Sequence, residues 1–251
     1  MIQSLRLAVG TLTIFPVPPP EPVDRRVAGG AMALAPVVGS APGVLAAVVL
    51  WGASHSLGPW PAALLAVAVL AVLTRLIHWD GLADLADGLG SGRPAREALE
   101  IMRRGDVGPF GVVTIVLVLG LQVGALADLG AAGPPAVLLA VVLGRWSMTL
   151  ACRSAVPAAR PDGLGAEVAG SVGVTLLLAA ALSTALLAVV TALAGDLGLP
   201  ATLLAVLLVT GWSLVLTAVA VVRLGGVTGD VLGALAESST ALALLTLALW
   251  P

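Results

Sequence analysis

Long apolar stretches alternate with short polar segments along almost the whole chain. A helix needs about 20 apolar residues to cross a bilayer, because it rises 1.5 Å per residue. Several stretches approach that length, namely residues 29–51, 59–77, 107–127, 134–152, 170–194, 199–222 and 236–250. The pattern predicts an all-α polytopic membrane helical bundle of about seven transmembrane helices, within a range of six to eight. Small residues four apart, such as Gly120 and Gly124, favour close helix packing.

Composition agrees with this fold class, since 59% of the residues are hydrophobic and only 10% are charged. A soluble domain is about 25% charged. The chain contains no lysine, so its positive charge comes from 12 arginines. Cys152 is the single cysteine, which excludes an internal disulfide and a cysteine-based metal site. We expect membrane lipid, and no nucleic acid, among its partners, and the sequence gives no oligomeric state.

The arginines are distributed unevenly between the loops. They lie in or beside the N-terminal segment and the loops 78–106, 153–169 and 223–235, whereas the alternate loops 52–58, 128–133 and 195–198 contain none. The positive-inside rule places the arginine-bearing loops in the cytoplasm. With seven spans, we expect the N-terminus inside, the C-terminus outside and almost all polar chemistry at the cytoplasmic face.

Two further segments are too short to span the membrane. The segment from Leu5 to Phe15 is interpreted as a surface segment, because no cleavage pattern of a signal peptide follows it. The stretch RPAREALEIMRRG, residues 93–105, predicts a short amphipathic helix on the membrane surface. Pro94 suits its first turn, and Gly105 is a candidate C-cap.

Three aspartates follow the second span within the stretch HWDGLADLADG, residues 78–88. If this stretch continues the helix of that span, Asp80, Asp84 and Asp87 lie within about 60° of one another on one face. Carboxylates so close repel one another unless a cation lies between them. Hard oxygen ligands suit Mg²⁺ or Mn²⁺. The spacing therefore predicts a metal site, with a solvated polar face at a helix end as the alternative.

The two histidines are not included in this site. His78 lies on the far side of the same predicted helix, so we interpret it as a structural or interfacial residue. His55 falls in a predicted outer loop and receives no role.

A second cluster lies in RLGGVTGDVLGALAES, residues 223–238. Gly226, Thr228 and Gly229 belong to a glycine-rich turn, and a turn of this kind before an acid that opens a helix can hold phosphate oxygens. Asp230 and Glu237 are seven residues apart and therefore share a helix face. The alternative is a loop that only joins two spans.

Several arginines lie on the same side of the membrane as these acids. Arg145 falls within the fourth predicted span, where a positive charge costs about 2.5–3.5 kcal/mol near the centre, so we expect an acidic partner or a bound anion. Arg103 and Arg153 are further candidates for substrate binding. For Arg153 and Arg160, a charge that only sets the topology is an equal alternative. Together the acids and arginines indicate a site for a pyrophosphate substrate, at which metal and arginines neutralise the phosphates.

Three motifs closely resemble those of the cobalamin synthase family, the adenosylcobinamide-GDP ribazoletransferases, namely HWDGLADLADGLGSGR, ALEIMRRGDVGPFG and LGGVTGDVLGALAE. The segments LTIFPVP and APVVG are similar to that family as well. The resemblance implies a single integral-membrane catalytic domain over residues 1–251, in the inner membrane of a bacterium with its active site facing the cytoplasm. It also implies a transferase that joins adenosylcobinamide-GDP to α-ribazole or its 5′-phosphate, releases GMP and requires Mg²⁺.

The resemblance assigns the acids to two motifs. It implies Asp80, Asp84 and Asp87 as metal ligands and Asp230 and Glu237 as catalytic acids, with Asp230 as our choice of general base. Many members of the family read MxDSRxG where this chain reads MRRGDVG, so that acid and base are exchanged at positions 104 and 106. We therefore assign no individual role to either position.

Two other functions are considered. A CDP-alcohol phosphotransferase of lipid synthesis carries the pattern D-x2-D-G-x2-A-R-x8-G-x3-D-x3-D, of which this chain matches only the opening, from Asp84 to Gly88. A cation-coupled transporter would place its acids near the middle of the membrane between broken helices. Here they lie at the predicted cytoplasmic edge, which disfavours a transporter.

Overall fold

The computed structural model describes residues 1–249, and these residues form helices and loops without a named strand. The helices are α1 Ile2–Leu12, α2 Arg25–Ala53, α3 Pro59–Leu73, α4 Ile77–Gly90, α5 Ala95–Ile101, α6 Pro109–Asp128, α7 Gly133–Ala151, α8 Gly163–Val168, α9 Val174–Gly195, α10 Leu199–Leu224 and α11 Gly229–Ala248. The predicted all-α class is confirmed. Trp250, the last residue of the predicted span 236–250, lies outside the described residues.

The predicted number of membrane spans agrees with the structure. In the described chain, 6 helices are long and apolar enough to cross a membrane, and the number rises to 7 if the bent pair of α3 and α4 counts as one span. The six are α2, α6, α7, α9, α10 and α11. These helices indicate a multi-pass membrane protein.

One predicted helix is broken in the structure. We expected the aspartate motif to continue the helix of the second span, but α3 ends at Leu73 and α4 begins at Ile77, at an angle of 91°. Arg75 and Leu76 between them adopt left-handed backbone conformations with φ of 54° and 56°. A non-glycine residue in this region cannot continue a right-handed helix, so the chain turns there. The expectation of one continuous helix was wrong, although the three aspartates still share α4.

The last span also begins earlier than predicted. Helix α11 starts at Gly229, whereas the prediction placed residues 223–235 in a loop. Thr228 caps the helix, because its hydroxyl accepts a hydrogen bond from the Val231 N–H at 3.3 Å. The boundary was wrong because the first two turns of α11 contain two glycines and Asp230, which weaken the apolar signal of a span. Asp230 and Glu237 consequently lie on one continuous helix.

Helices α7 and α11 form the centre of the bundle. In the most apolar stretch of each helix, 83% of the residues of α7 and 78% of those of α11 are buried, compared with only 28% in α9 and in α10. Helix α7 packs against α2, α9, α10 and α11, and α11 packs against α4 and α6 as well. The large exposed side chains of α9 and α10 are leucine and valine, together with Trp212, as expected of surfaces that face lipid. The polar residues of α4, α7 and α11 are therefore held by the innermost helices.

Glycines allow the central helices to approach closely. A Cβ atom at Gly81 of α4 would lie 2.8 Å from the Asp230 Cα atom of α11, and one at Gly233 would lie 3.0 Å from the His78 Cα atom. Gly39 of α2 makes room for the side-chain stem of Arg145 in the same way. Without a hydrophobic force between helices in lipid, such close backbone contacts supply much of the packing energy. Of the pair expected to do this from sequence, Gly120 faces open space, whereas a Cβ atom at Gly124 would lie 3.7 Å from the Trp60 ring of α3.

Candidate active site

A cavity of about 240 Å³ lies where the N-terminus of α11 meets the loop before α8. It is lined by Arg160, residues 162–166 and residues 227–230. Thr228, Gly229 and Asp230, all predicted from sequence as site residues, are among them. The cavity therefore brings part of the glycine-rich motif together with an arginine and two acids, Asp162 and Asp230.

Backbone pairing fixes the glycine-rich loop against the loop that follows α7. The Val227 N–H donates to the Pro157 carbonyl at 2.9 Å, and the Ala159 N–H donates to the Val227 carbonyl at 3.0 Å. A Cβ atom at Gly226 would lie 2.4 Å from the Pro157 carbonyl oxygen, so only glycine fits there. The structure thus gives Gly226 a packing role beside the cavity, while its predicted contact with phosphate stays a prediction.

Asp230 is held at the opening of α11. Its Oδ2 atom accepts a hydrogen bond from the Thr228 hydroxyl at 3.1 Å, and it lies 3.7 Å from Nη1 of Arg160. A carboxylate in the first turn of a helix also benefits from the positive end of the helix dipole. These contacts fix the position of the carboxylate at the edge of the cavity.

Arg160 connects the cavity to the amphipathic helix α5. Its Nη2 atom donates to the Leu99 carbonyl at 2.7 Å, while its other end faces Asp230. Partial burial lowers the pKa of the Arg160 guanidinium, and the Asp230 carboxylate opposes that shift. The guanidinium remains charged at neutral pH because arginine titrates far above that range. Its Nε atom is buried without a hydrogen-bond partner, so the group retains donor capacity.

Helix α4 brings its aspartates to the same end of α11. Gly81 packs directly on the backbone of Asp230. Asp80 directly precedes Gly81 in sequence and Asp84 follows it by one helical turn, so this contact brings both aspartates near Asp230. Asp84 interacts electrostatically with Asp80, Asp87, Asp230 and Arg160. Asp80 is exposed and Asp84 is half-buried. Asp80, Asp84 and Asp87 of the first predicted motif and Asp230 of the second therefore belong to one charged cluster.

Asp87, the third aspartate of the motif, has a different environment. It is 8% exposed, and its two carboxylate oxygens accept the Gly108 N–H at 2.7 Å and the Gly111 N–H at 3.0 Å. Both N–H groups lie at the N-terminus of α6, where backbone N–H groups have no acceptor within the helix. Asp87 thus closes the N-terminus of α6, a role that the sequence analysis did not anticipate.

The fit of a divalent metal depends on the donors that remain. Among residues 1–249, no three His, Cys, Asp or Glu side chains are already arranged to hold a metal ion. Mg²⁺ is usually bound through one or two carboxylates, with waters and substrate phosphates completing its shell. Asp80, Asp84 and Asp230 can supply such carboxylates, so the donor set fits Mg²⁺ bound together with a phosphate substrate. The predicted metal ligands stay a prediction.

The other predicted arginines lie outside this cavity. Arg103 forms an ion pair with Asp162 at the cavity rim. Arg153 donates from Nη1 to the Leu150 carbonyl at 2.9 Å, within its own turn. Arg104 and Asp106, at the positions where the chain departs from the family pattern, are both exposed. Substrate contact by Arg103 and Arg153 stays a prediction.

Arg145 and Glu237 meet in a buried cluster below the cavity. Arg145 Nη2 lies 3.1 Å from His78 Nδ1, and that nitrogen lies 3.8 Å from Glu237 Oε1. Gln122 of α6 donates from Nε2 to Glu237 Oε2 at 3.0 Å. The direct hydrogen-bond neighbour of Arg145 is thus His78, and Glu237 acts on its charge without a direct ion pair, so the predicted acidic partner or bound anion stays a prediction. His78 lies in the interior, as a structural interpretation requires. Neither Arg145 nor Glu237 lines the cavity at Asp230.

A larger cavity, of about 540 Å³, lies at the opposite end of the bundle. It is lined by residues such as Trp51, His55, Leu126 and Pro134, and no aspartate, glutamate or arginine lines it. A pyrophosphate substrate needs positive charge or metal ligands, which this cavity does not offer. The smaller cavity is the candidate active site, because it is the one of the two that the predicted site residues Thr228, Gly229 and Asp230 line.

The fold and this cavity define a polytopic membrane protein whose acids and arginines gather at one end of the bundle. A comparison with family models adds the family. Residues 4–248 match the model described as cobalamin-5-phosphate synthase. The chain belongs to this family, as its motifs predicted.

Similar proteins cover the chain from end to end. A protein of Frankia casuarinae is 44% identical, with 99% of this chain and 95% of the relative aligned. A Nocardioides protein is 42% identical over 98% of each chain. A Bradyrhizobium diazoefficiens protein is 38% identical over 99% of this chain and 94% of its own length. All three are named adenosylcobinamide-GDP ribazoletransferase, and no solved structure matches this chain.

Sequence reasoning gave too little weight to three residues that the structure places at or below the site. Arg160 was weighed evenly against a topological role, yet it lines the cavity beside Asp230. His78 received only a structural interpretation, and Gln122 was not singled out. Gln122 could have been noticed, because it is the only carboxamide side chain within a predicted span and the chain contains no asparagine.

Proposed function

We propose that this protein joins adenosylcobinamide-GDP to α-ribazole or α-ribazole 5′-phosphate, releasing GMP, in late cobalamin biosynthesis. The product is adenosylcobalamin or its 5′-phosphate. The names of the relatives support the two substrates. The observation that carries the proposal for this chain is the cavity at which Arg160, Thr228, Gly229 and Asp230 meet beside the aspartates of α4. Acids that bind metal and a free arginine donor suit a nucleotide pyrophosphate.

The reaction is a phosphoryl transfer with a balanced exchange of bonds. A ribazole hydroxyl oxygen forms a bond to the phosphorus that carries cobinamide. The bond from that phosphorus to the bridging oxygen breaks, and GMP leaves with this oxygen. The hydroxyl proton passes to a carboxylate, for which Asp230 is our choice because the Thr228 hydroxyl and Arg160 hold it at the cavity edge. A base must lie within hydrogen-bond reach of the proton that it accepts.

Arg160 has the complementary role of binding the pyrophosphate. Its guanidinium faces the cavity and is anchored through the Leu99 carbonyl, so it can donate to non-bridging phosphate oxygens without a large rearrangement. When bound, Mg²⁺ would be held by Asp80 and Asp84, which leaves the Asp230 carboxylate to accept the proton, and would neutralise charge on the phosphates. Without that neutralisation, the carboxylates would repel an anionic substrate.

We further propose that the protein lies in the inner membrane of a bacterium, with this cavity facing the cytoplasm. Support comes from the loops that carry the arginines, since Arg160 lines the cavity, Arg103 pairs with Asp162 at its rim and the loops at the other end carry none. A nucleotide-activated substrate is also a cytoplasmic compound, because its GDP group derives from cytoplasmic nucleotides.

The first experiment measures GMP release by purified protein in liposomes, with adenosylcobinamide-GDP, α-ribazole 5′-phosphate and Mg²⁺. We expect turnover that EDTA abolishes and that excess Mg²⁺ restores. Asp84→Asn should lower kcat at least about 100-fold at the same Mg²⁺ concentration, because a neutral amide is a much weaker ligand for Mg²⁺. Glu97→Gln on the exposed face of α5 is the matched control, and it should retain wild-type kcat.

Two results would contradict the proposal. Well-folded wild-type protein that releases no GMP under these conditions would refute the assigned reaction. Full activity of Asp84→Asn, or turnover that is unaffected by EDTA, would refute the metal assignment and leave the reaction in place.

A further inference from the structure

Four polar side chains from four helices meet in the interior of the bundle, and the proposed mechanism uses none of them in contact with substrate. They are His78 of α4, Gln122 of α6, Arg145 of α7 and Glu237 of α11. Their exposures are 2%, 1%, 2% and 6%. We call them the interior network. Ionisable side chains within a membrane bundle are costly and are usually functional.

The contacts of this network form a chain between helices. Arg145 Nη2 lies 3.1 Å from His78 Nδ1, so that His78 accepts the hydrogen bond with a neutral ring. The same nitrogen is 3.8 Å from Glu237 Oε1, and the guanidinium offsets the charge of that carboxylate. The Nε2 atom of Gln122 donates two hydrogen bonds to Glu237, one to its backbone carbonyl oxygen at 3.2 Å and one to its side-chain Oε2 atom at 3.0 Å. Glu237 is therefore held by Gln122 on one side and by the charge of Arg145 on the other. His78 Nδ1, which accepts from Arg145, has no proton to donate to Glu237.

The network lies directly below the candidate active site. Glu237 is two helical turns from Asp230 on α11, and His78 precedes Asp80 and Asp84 on α4. Between the two levels, Gly81 packs on Asp230 and Gly233 packs on His78. The relative position of the acids on α4 and α11 thus depends on the same pair of helices that the network joins.

We propose that the interior network positions the catalytic carboxylates, and that Glu237 and Arg145 act through it rather than by touching substrate. His78 and Gln122 are then positioning residues for the transfer reaction. They hold α4 and α6 against α11, so that Asp80 and Asp84 face Asp230 at the distance that the metal and the phosphates require. This inference rests on the proposed function, and it revises the roles predicted for Arg145 and Glu237.

Positioning predicts a particular kinetic signature. Displacement of the acids by even about 1 Å should reduce the chemical step, whereas Arg160 and the cavity wall would still bind the substrate. We therefore expect His78→Ala, Gln122→Leu and Glu237→Gln each to lower kcat at least tenfold, while KM for adenosylcobinamide-GDP changes less than about threefold.

The decisive experiment is a double-mutant cycle on kcat with the full chain in liposomes. If Gln122 acts only through Glu237, the variant carrying both Gln122→Leu and Glu237→Gln should be no slower than Glu237→Gln alone. The conservative change His78→Gln, which retains an acceptor near Arg145, should recover a large part of the activity lost in His78→Ala. Thr184→Val, which removes a buried hydroxyl on α9 outside the network, is the control and should retain wild-type kcat.

Three outcomes separate the possibilities, and wild-type GMP release is measured first so that a failure of the proposed reaction is seen separately. A coupled loss of kcat with nearly constant KM supports the inference. If Glu237→Gln abolishes turnover while Gln122→Leu and His78→Ala remain fully active, Glu237 acts on substrate directly and the inference is overturned. If all variants keep wild-type kcat and only their melting temperatures fall, the network is merely structural and the inference is likewise overturned.

Discussion

At the scale of single residues, Asp87 shows how a side chain predicted to bind metal can have a different structural task. Its two oxygens close the first turn of α6 by accepting the Gly108 and Gly111 N–H groups. Cβ atoms at these two glycines would each lie 2.5 Å from an Asp87 oxygen, so the chain has room only for glycine there. Asp87 and the two glycines thus form one unit.

This unit leads to a prediction about stability. Asp87→Ala should destabilise the protein by about 0.5–2 kcal/mol, because it leaves N–H groups at the start of α6 without an acceptor. The melting temperature in detergent, followed by circular dichroism, measures the change. Asp106→Ala removes an exposed aspartate from the loop that precedes α6 and should leave the melting temperature unchanged. A normal melting temperature for Asp87→Ala, with loss of Mg²⁺-dependent turnover, would instead make Asp87 a metal ligand as the spacing predicted.

The residues of the site were predictable to different degrees for physical reasons. Asp80, Asp84 and Asp230 stand out because charge is rare in this chain and close spacing along a helix is visible in sequence. Arg160 does not stand out, because the same residue type also occurs in every loop that is predicted to be cytoplasmic, where it sets topology. Its contacts with Leu99 and Asp230 bridge distant segments, and only folding brings them together.

At the scale of elements, the contact between α4 and α11 determines whether the two acidic motifs form one site. Gly81 and Gly233 allow the two helices to touch through their backbones. The sequence shows many glycines, but it does not show which of them face another helix. Gly120, which appeared suited to close packing, has no atom within 4 Å of a Cβ built on it.

This difference gives a matched pair of variants. Gly81→Ala would place a methyl group 2.8 Å from the Asp230 Cα atom, so it should force α4 and α11 apart and lower kcat at least tenfold. Gly120→Ala should leave kcat unchanged and should raise stability by up to about 1 kcal/mol, because alanine favours helix more than glycine does. GMP release and melting temperature check both variants. Equal activity of the two would show that the close approach at Gly81 is not needed.

The bend between α3 and α4 is the other feature at this scale. Apolar length predicted a continuous second span, but the left-handed residues Arg75 and Leu76 turn the chain by 91°. Arg75 is held in place by donating to the Gly10 carbonyl of α1 at 2.7 Å. Neither residue type signals such a turn, because the conformation depends on contacts that form between distant segments.

At the scale of the whole molecule, the distribution of arginines predicts the orientation in the membrane. Cysteine labelling tests it, since the native Cys152 is buried and should react poorly with a membrane-impermeant maleimide. Ser56→Cys lies in a predicted outer loop and should be labelled in intact spheroplasts. Arg96→Cys, on α5 near the cavity, should be labelled only after the membrane is opened. Labelling of Arg96→Cys in intact spheroplasts would contradict a cytoplasmic active site.

The sequence by itself determined the fold class, the number of spans, the clustering of polar chemistry at one end and the family. These properties follow from apolar length, from the placement of rare charges and from local motifs, all of which are encoded over short distances along the chain. Tertiary structure alone decided which acids lie close together, that Asp87 accepts hydrogen bonds from the N-terminus of α6, and that Gln122 donates to Glu237. Such contacts depend on which face each helix turns to its neighbours, and in a chain that is apolar nearly all round, periodicity does not reveal that face.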